Sequence, residues 1–84
     1  MKFDLTSMRR FFQAAPFIAD LGAEPVLVEE GRITTVLPIT PRLLQHTGQV
    51  HAGVSTTLAD HSMGCAAQTM TPDGFIILTA ELKV

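Results

Sequence analysis

The chain lacks tryptophan and tyrosine, contains a single cysteine, and has no apolar run near the roughly 20 residues that a membrane-spanning helix needs. One cysteine excludes an internal disulfide bond, so the reducing cytoplasm is the expected location. Lysine and arginine are scattered apart from Arg9-Arg10, and the net charge is −2. We therefore expect no nucleic-acid partner, because such partners favour clustered positive charge. The acidic Asp4 comes before any apolar segment, and a secretory signal peptide does not have this arrangement. We also expect no membrane partner.

What the chain does contain suits a globular domain. Of its 84 residues, 46% are hydrophobic and 17% are charged, and there are no repeats, low-complexity tracts or linkers. We therefore expect one domain over residues 1–84. A chain of this length buries a modest fraction of its surface without help from disulfides, so association with further copies is expected. The last residues read as a strand still running at Val84, which predicts a domain incomplete at its C-terminus.

The N-terminal quarter predicts two short helices. Residues 5–14 have apolar side chains at helical spacing, and Thr6 or Ser7 can cap the first turn. Pro16 then starts a second helical turn that Gly22 ends. The apolar face of the first helix would consist of Met8, Phe11 and Phe12.

A hairpin is the next predicted element. Two β-rich runs, residues 26–29 and 32–39, flank Glu30-Gly31, and this pair is the best turn signal of the region. Pro38 closes the second run. Because a hairpin pairs its two strands antiparallel, this region predicts an antiparallel sheet.

The second half predicts one long helix and one strand. The helix runs from about 53 to 69, with an apolar stripe formed by Val54, Leu58 and Cys65. Gly64 in mid-helix costs about 1 kcal/mol relative to alanine, which close packing of a curved sheet would justify. A turn at residues 71–74 precedes a strand over 75–84. The order favours an α+β fold in which an antiparallel sheet wraps around one central helix.

Asp60 is the most informative residue of this helix, because its carboxylate lies in an otherwise weakly polar stretch. Only Asp73 and Glu81 follow it among acidic residues, so it does not belong to a solvated charge run. A buried carboxylate is costly unless a partner or a function compensates. At about 100° per residue, Asp60 shares a face with Gly53, two turns earlier. A structural acid bonded to a loop amide is the alternative interpretation.

The start of the same helix offers complementary chemistry. The N–H groups of residues 52–54 have no intrahelical partners and carry the positive end of the helix dipole. Such groups can bind the oxyanion of an attacked carbonyl, an effect of roughly 3–4 kcal/mol per good donor. A carboxylate near the same pocket can attack the carbonyl or take a proton from water. Hydrolysis of an ester or thioester fits these groups.

Two motifs in this region, GQVHAG at residues 48–53 and LAD at 58–60, resemble those of the hotdog-fold acyl-CoA thioesterases of the phenylacetate-pathway (PaaI-like) type. The hairpin, loop, central helix and following strand also come in that family's order. The resemblance implies a hotdog fold, an acyl-CoA substrate, no cofactor, and a dimer or dimer of dimers. In this family the carboxylate and the oxyanion donors of one site come from different subunits.

The resemblance also implies a role for each matching residue. Asp60 would be the general base or nucleophile, and the Ala52 and Gly53 amides would be the oxyanion donors. His51 would line the pocket near the carbonyl or the departing sulfur, or would only brace the loop. Gln45 would help to hold the carbonyl or the water.

Two further candidates would bind substrate. Thr79 matches a position where a hydroxyl can orient the attacking water, although it can equally be a plain strand residue. His61 points about 100° away from Asp60, so an interface or surface position is expected first and contact with substrate second. His46, His51, His61 and Cys65 do not complete a recognisable zinc pattern, so no metal is expected, and Cys65 should be a small core residue.

Two departures from the family pattern keep rival functions open. Gln45 replaces a common asparagine, and Ala52 replaces a glycine, which adds a methyl group where a substrate must approach closely. A non-catalytic acyl-CoA-binding module of the same fold is therefore one alternative. A hotdog enoyl-CoA hydratase or dehydratase is the other, although the motif expected for it is not found.

Overall fold

Helix α1 spans Leu5–Gln13 in the computed structural model, which describes residues 2–84. The predicted helix is confirmed, but the predicted caps Thr6 and Ser7 are wrong, because Asp4 is the N-cap. The Asp4 carboxylate accepts a hydrogen bond from the Ser7 N–H at 2.8 Å, and the Ser7 hydroxyl accepts one from the Asp4 N–H at 3.0 Å. This reciprocal pair is a capping box and satisfies two amides that the first turn leaves free.

One face of α1 forms the centre of the core, as its spacing predicts. Met8 and Phe12 are 0% and 1% exposed, and Phe11 is half-buried at the border of this face. Burying a large apolar side chain contributes about 1.5–3 kcal/mol to stability. The other buried members of the cluster are Ile18, Ala23 and Cys65.

Helix α2 spans Pro16–Leu21 and matches its prediction. Pro16 is at the first helical position, where its missing N–H costs nothing. Gly22 ends the helix with φ +88°, a left-handed conformation that glycine adopts without strain.

The predicted hairpin is also confirmed. Strand β1, Glu24–Glu29, pairs antiparallel with β2, Arg32–Val36, and Gly31 turns the chain with φ +74°. The second strand ends three residues earlier than predicted. Pro38 has no N–H to donate to a ladder, so a strand that reaches it loses its pairing.

Helix α3 spans Ala52–Gln68, one residue earlier at each end than predicted. It contacts β2, where the Ser62 hydroxyl donates to Thr35 Oγ1 at 2.8 Å. Cys65 on α3 is 2% exposed and belongs to the core, as predicted. The helix is thus held by the hairpin and by α1 together.

The chain beyond α3 differs from its prediction. The turn at residues 71–74 is present, with Gly74 at φ +86°, but the predicted strand over residues 75–84 is wrong. A strand needs a neighbouring backbone, and among residues 2–84 β1 and β2 pair only with each other. The segment is therefore irregular and its apolar side chains are largely exposed.

Residues 2–84 form three α-helices and a small antiparallel sheet, which is compatible with part of a hotdog domain. The expected sheet around a central helix is reduced here to one hairpin on one side of α3. No helix within residues 2–84 is long and apolar enough to cross a membrane.

We expect Asp4→Ala to lower the melting temperature at pH 7, because the capping box loses its acceptor. Asp4→Asn is the matched control, since asparagine caps as well as aspartate but does not titrate there. The bond to the Ser7 N–H holds the pKa of the Asp4 carboxyl below its ordinary value. The ionised Asp4 carboxylate therefore stabilises the folded protein above about pH 3.9. This stabilisation is lost as the pH falls through the lowered pKa that Asp4 has in the folded state. Thermal melts between pH 2 and 7 check this: equal melts of all three proteins would contradict it.

Candidate active site

Asp60 lies half-buried on α3 and faces the irregular segment that follows the helix. The Thr79 hydroxyl donates a hydrogen bond to Asp60 Oδ1 at 2.6 Å. The other carboxylate oxygen, Oδ2, accepts no hydrogen bond from residues 2–84. One oxygen is therefore held in place while the second is available to a ligand or a water molecule.

A cavity of about 240 Å³ opens beside this carboxylate. Its walls are mainly apolar and come from α1, from α3 and from the segment after α3. Some polar groups face it as well, which is the usual composition of a small-molecule pocket. Lining residues include Phe11, Ile77 and Leu78 on the apolar side and His61, Gln68 and Thr79 on the polar side.

Gln68 fixes the wall of this cavity that carries Thr79. Its side chain is 5% exposed, donates to the carbonyl of Phe75 and accepts from the N–H of Ile77, both at 2.9 Å. The Gln68 side-chain amide thus makes the hydrogen bonds to this backbone that a neighbouring strand would otherwise make. Since Thr79 is two residues beyond Ile77, Gln68 also limits where the Thr79 hydroxyl can lie relative to Asp60.

His61 is half-buried, and its expected place at an interface stays a prediction. Its ring lies edge-on to Phe12 with centroids 4.3 Å apart, and Nε2 is 3.5 Å from Cys65 Sγ. Burial lowers the pKa of His61 below its ordinary value, and the charge of Asp60 opposes this only in part. Burial also raises the pKa of the Cys65 thiol to about 11. His61 therefore presents a largely neutral ring to the cavity.

Metal binding would need more ligands than His61 and Cys65. Within residues 2–84, no group of three His, Cys, Asp or Glu side chains is arranged to hold an ion. Thiol and imidazole are here 3.5 Å apart on successive turns of one helix.

His51 caps the start of α3. The Gly53 N–H donates to His51 Nδ1, and the Val54 N–H donates to the His51 carbonyl, both at 2.9 Å. Two of the three amides expected to be free therefore have partners within the chain. The Ala52 N–H has no acceptor among residues 2–84. Of the two predicted oxyanion donors, Ala52 is thus the one available in this arrangement.

Gln45 does not reach toward Asp60. Its side-chain oxygen accepts from the backbone N–H and from the hydroxyl of Thr47, the latter at 2.5 Å. Together with His51 and Ala52 it lines a second cavity of about 590 Å³ at the loop before α3.

The predicted site residues therefore form two groups within one chain. Asp60, Thr79 and His61 line the cavity beside the middle of α3, whereas Gln45, His51 and Ala52 line another at its start. Gly53 and Asp60 are about two turns, or roughly 10 Å, apart along the axis. A ligand a few ångströms across cannot contact both groups of one molecule.

Gln68 and Gly64 border the Asp60 cavity, and the sequence interpretation assigned neither of them to a site. Their helical spacing from Asp60 could have identified them as neighbours of the carboxylate. Gly64 follows Asp60 by one helical turn and Gln68 by two, so all three lie on the same face.

One comparison with known proteins yields a match. The chain is 37% identical over 57 residues to a 1,4-dihydroxy-2-naphthoyl-CoA hydrolase from Listeria monocytogenes serotype 1/2a (strain 10403S). The match covers 67% of this chain but 46% of that protein, so the chain spans about half the length of the curated relative. No protein-family model matches the chain, and no solved structure matches it. The similarity links the chain to a hydrolase of a CoA thioester.

We expect Gln68→Met to destabilise the protein by about 1–2 kcal/mol, because two hydrogen bonds are lost while the side-chain volume is kept. Amide hydrogen exchange of Ile77 should accelerate, since its N–H loses its acceptor. Gln13→Met at the exposed end of α1 is the control and should change neither value. Unaltered exchange at Ile77 in Gln68→Met would show that Gln68 does not hold the segment.

Proposed function

We propose that the protein hydrolyses an acyl-CoA thioester to a free acid and CoA, in a site completed by a second copy of the chain. The observation that carries the proposal is the half-buried Asp60 carboxylate, held at one oxygen by Thr79 and open at the other to an apolar-walled cavity. The partial similarity to a 1,4-dihydroxy-2-naphthoyl-CoA hydrolase supports a CoA thioester as substrate. The hotdog motifs support the same reaction class and a PaaI-like assignment.

In this proposal Asp60 Oδ2 takes a proton from water as the water oxygen bonds to the thioester carbon. The negative charge that develops on the carbonyl oxygen is stabilised by a backbone N–H at the start of α3 of the partner copy. The C–S bond then breaks and the sulfur leaves with a proton as CoA thiol. Alternatively, the Asp60 carboxylate attacks the carbon itself, and water hydrolyses the resulting anhydride.

A second copy is part of the proposal because of the separation within one chain. Asp60 lines one cavity and Ala52 lines another, about two turns of helix away. A two-fold arrangement would bring Asp60 of one copy near Ala52 of the other, and the same contact would occur twice. Ala52 suits the donor role best, because its N–H is free of partners among residues 2–84.

A non-catalytic acyl-CoA-binding module is the second candidate. It is favoured by the capping bond from the Gly53 N–H to His51, which removes one of the two expected oxyanion donors. Incubation with aryl- and alkyl-CoA thioesters separates the candidates: thiol release supports hydrolysis, whereas saturable binding without thiol release supports the module. Addition of water to an enoyl-CoA would instead indicate a hydratase.

We expect Asp60→Asn to lower kcat by about 10²- to 10⁴-fold, because the amide cannot accept the proton from water. The change keeps an oxygen for the Thr79 hydroxyl, so the fold should survive, as circular dichroism would show. The matched control is Asp73→Asn, which alters an exposed carboxylate paired with Lys2. A rate in Asp60→Asn equal to that of the unaltered protein would refute the proposed mechanism.

We expect Ala52→Pro to lower kcat by about 10²- to 10³-fold through loss of a single N–H. Proline is well tolerated at the first position of a helix, and the extended backbone of His51 (φ −62°, ψ 135°) is the conformation that a following proline requires. Ala52→Gly keeps the N–H and should retain activity. Equal rates for the proline and glycine variants would exclude Ala52 as the donor.

Mixing the two inactive variants tests whether the site is shared between copies. A dimer of one Asp60→Asn chain and one Ala52→Pro chain has one site with both defects and one intact site. An equal mixture, refolded together, should therefore recover about one quarter of the activity of unaltered dimers. No recovery at all would mean that both groups of a site belong to the same chain.

A further inference from the structure

Arg42 joins the loop before α3 (residues 40–51) to helix α2. It lies in a single turn of 3₁₀ helix, Pro41–Leu43, within this loop. Its guanidinium donates a hydrogen bond to the backbone carbonyl of Asp20, and Nη1 lies 3.5 Å from Oδ2 of the Asp20 carboxylate. Among residues 2–84, these are the hydrogen bonds between α2 and the loop. Two acceptors on one residue suit the rigid fork of an arginine side chain.

The carbonyl that Arg42 binds belongs to the last turn of α2, where carbonyls have no partners within the helix. The Gly22 N–H donates to Ile18 and Ala19, and the Asp20 carbonyl accepts no backbone N–H from residues 2–84. This end of a helix also carries the negative end of its dipole, which favours a cation. Arg42 therefore satisfies a free acceptor at the end of α2.

A cleft of about 450 Å³ separates α2 from the start of α3. Phe17 lines it from α2 and Val54 lines it from α3, and Phe17 is 60% exposed. Since side chains do not fill this space, apolar packing across it does not hold the loop at a fixed distance from α2. Arg42 and Asp20 border the same cleft, and their contact connects its two sides.

The loop backbone transmits this restraint to the start of α3. Leu43, the residue after Arg42, is 4% exposed, and its carbonyl accepts a hydrogen bond from the His51 N–H at 2.9 Å. His51 is the N-cap of α3, and the Ala52 N–H belongs to the peptide unit that follows it. A single hydrogen bond thus connects the residue beside Arg42 to the residue that places the Ala52 N–H.

We propose that Arg42 is a positioning residue, which holds the Ala52 N–H in place by tying the loop before α3 to α2. The inference rests on the proposed function, in which Ala52 is the donor to the carbonyl oxygen in the site of the partner copy. Such a donor must lie about 3 Å from the place that the oxyanion will occupy. A displacement of about 1 Å can lower a rate by about 100-fold. Arg42 therefore acts on the reaction through geometry, without touching the reacting atoms.

The first experiment replaces Arg42 by Met and by Lys in the intact protein. Methionine keeps an unbranched side chain but cannot donate, so Arg42→Met should lower kcat by about 5- to 50-fold. KM should change by less than about twofold, because the donor acts in the transition state. Lysine donates from one ammonium group and lacks the fork, so Arg42→Lys should have an intermediate kcat. Arg32→Met is the matched control: it removes an exposed arginine that pairs with Glu29 and should leave kcat unchanged.

The Ala52→Pro variant separates positioning from a general loss of stability. Once the Ala52 N–H is absent, Arg42→Met has no donor left to misplace. The double variant should therefore have the same kcat as Ala52→Pro alone. A further fall in kcat of similar size would overturn the inference, because Arg42 would then act by another route. A raised KM at unchanged kcat in Arg42→Met would also overturn it, since that result indicates direct contact with substrate.

Amide hydrogen exchange tests the same inference without a substrate. We expect the His51 N–H to exchange at least about fivefold faster in Arg42→Met, because its bond to the Leu43 carbonyl opens more often. The Ile77 N–H, which Gln68 binds, is the internal reference and should not change. Equal exchange at His51 in the two proteins would overturn the inference.

Failure of the proposed function is recognised separately. It would appear as absence of thiol release from the unaltered protein with every thioester. The exchange rate at His51 would then still decide whether Arg42 holds the start of α3 in place.

Discussion

The burial of Phe12 holds the molecule together, because its ring is where α1 and α3 meet. It is 1% exposed, it shares the core with Met8 and Cys65, and its ring makes a T-shaped contact with the His61 ring. This contact and the packing of α3 on β2 together set the rotation of α3 about its axis. Once His61 is turned toward Phe12, the residue before it, Asp60, is turned toward the segment that follows the helix. The chemistry of the candidate site therefore depends on a hydrophobic contact made by α1.

The functional proposal depends on a separation within one helix. The middle of α3 offers a carboxylate and apolar space, and its start offers a free N–H at Ala52. Each group alone is ordinary: a half-buried acid bonded to a hydroxyl, and a helix end with an unused donor. The proposed reaction at a carbonyl would need both groups, and this is why the proposal includes a second copy of the chain.

Elements specified by neighbouring residues could be predicted from the sequence. Gly31 turns the hairpin, Gly22 ends α2, and the small and apolar residues of α3 give its length within one residue. The cap of α1 differs from its prediction because the Asp4–Ser7 pairing depends on a residue outside the apolar pattern. Residues 75–84 have a strand pattern, but a strand exists only where a second backbone pairs with it.

The sequence supplies a set of residues as a prediction of the site, but it does not supply their geometry. The family resemblance predicts roles for Asp60, Thr79 and the loop before α3, and the Thr79 hydroxyl donates a hydrogen bond to Asp60. The half-burial of His61 could not be predicted, because Phe12, whose ring packs against it, is far away in the chain. Gln68 shows the same limit, since a polar side chain near a helix end gives no sign of which backbone it will bind. The residue pattern of a single sequence does not determine which segments far apart in the chain come into contact.

The protected state of Cys65 gives the molecule a built-in reporter of its own opening. The thiol is 2% exposed, and burial raises its pKa to about 11, so the reactive thiolate is disfavoured near neutral pH. Oxidants and alkylating reagents would thus be excluded while the core is closed. Labelling becomes possible when α1 and α3 part, and its rate would record how often they do so without any added probe.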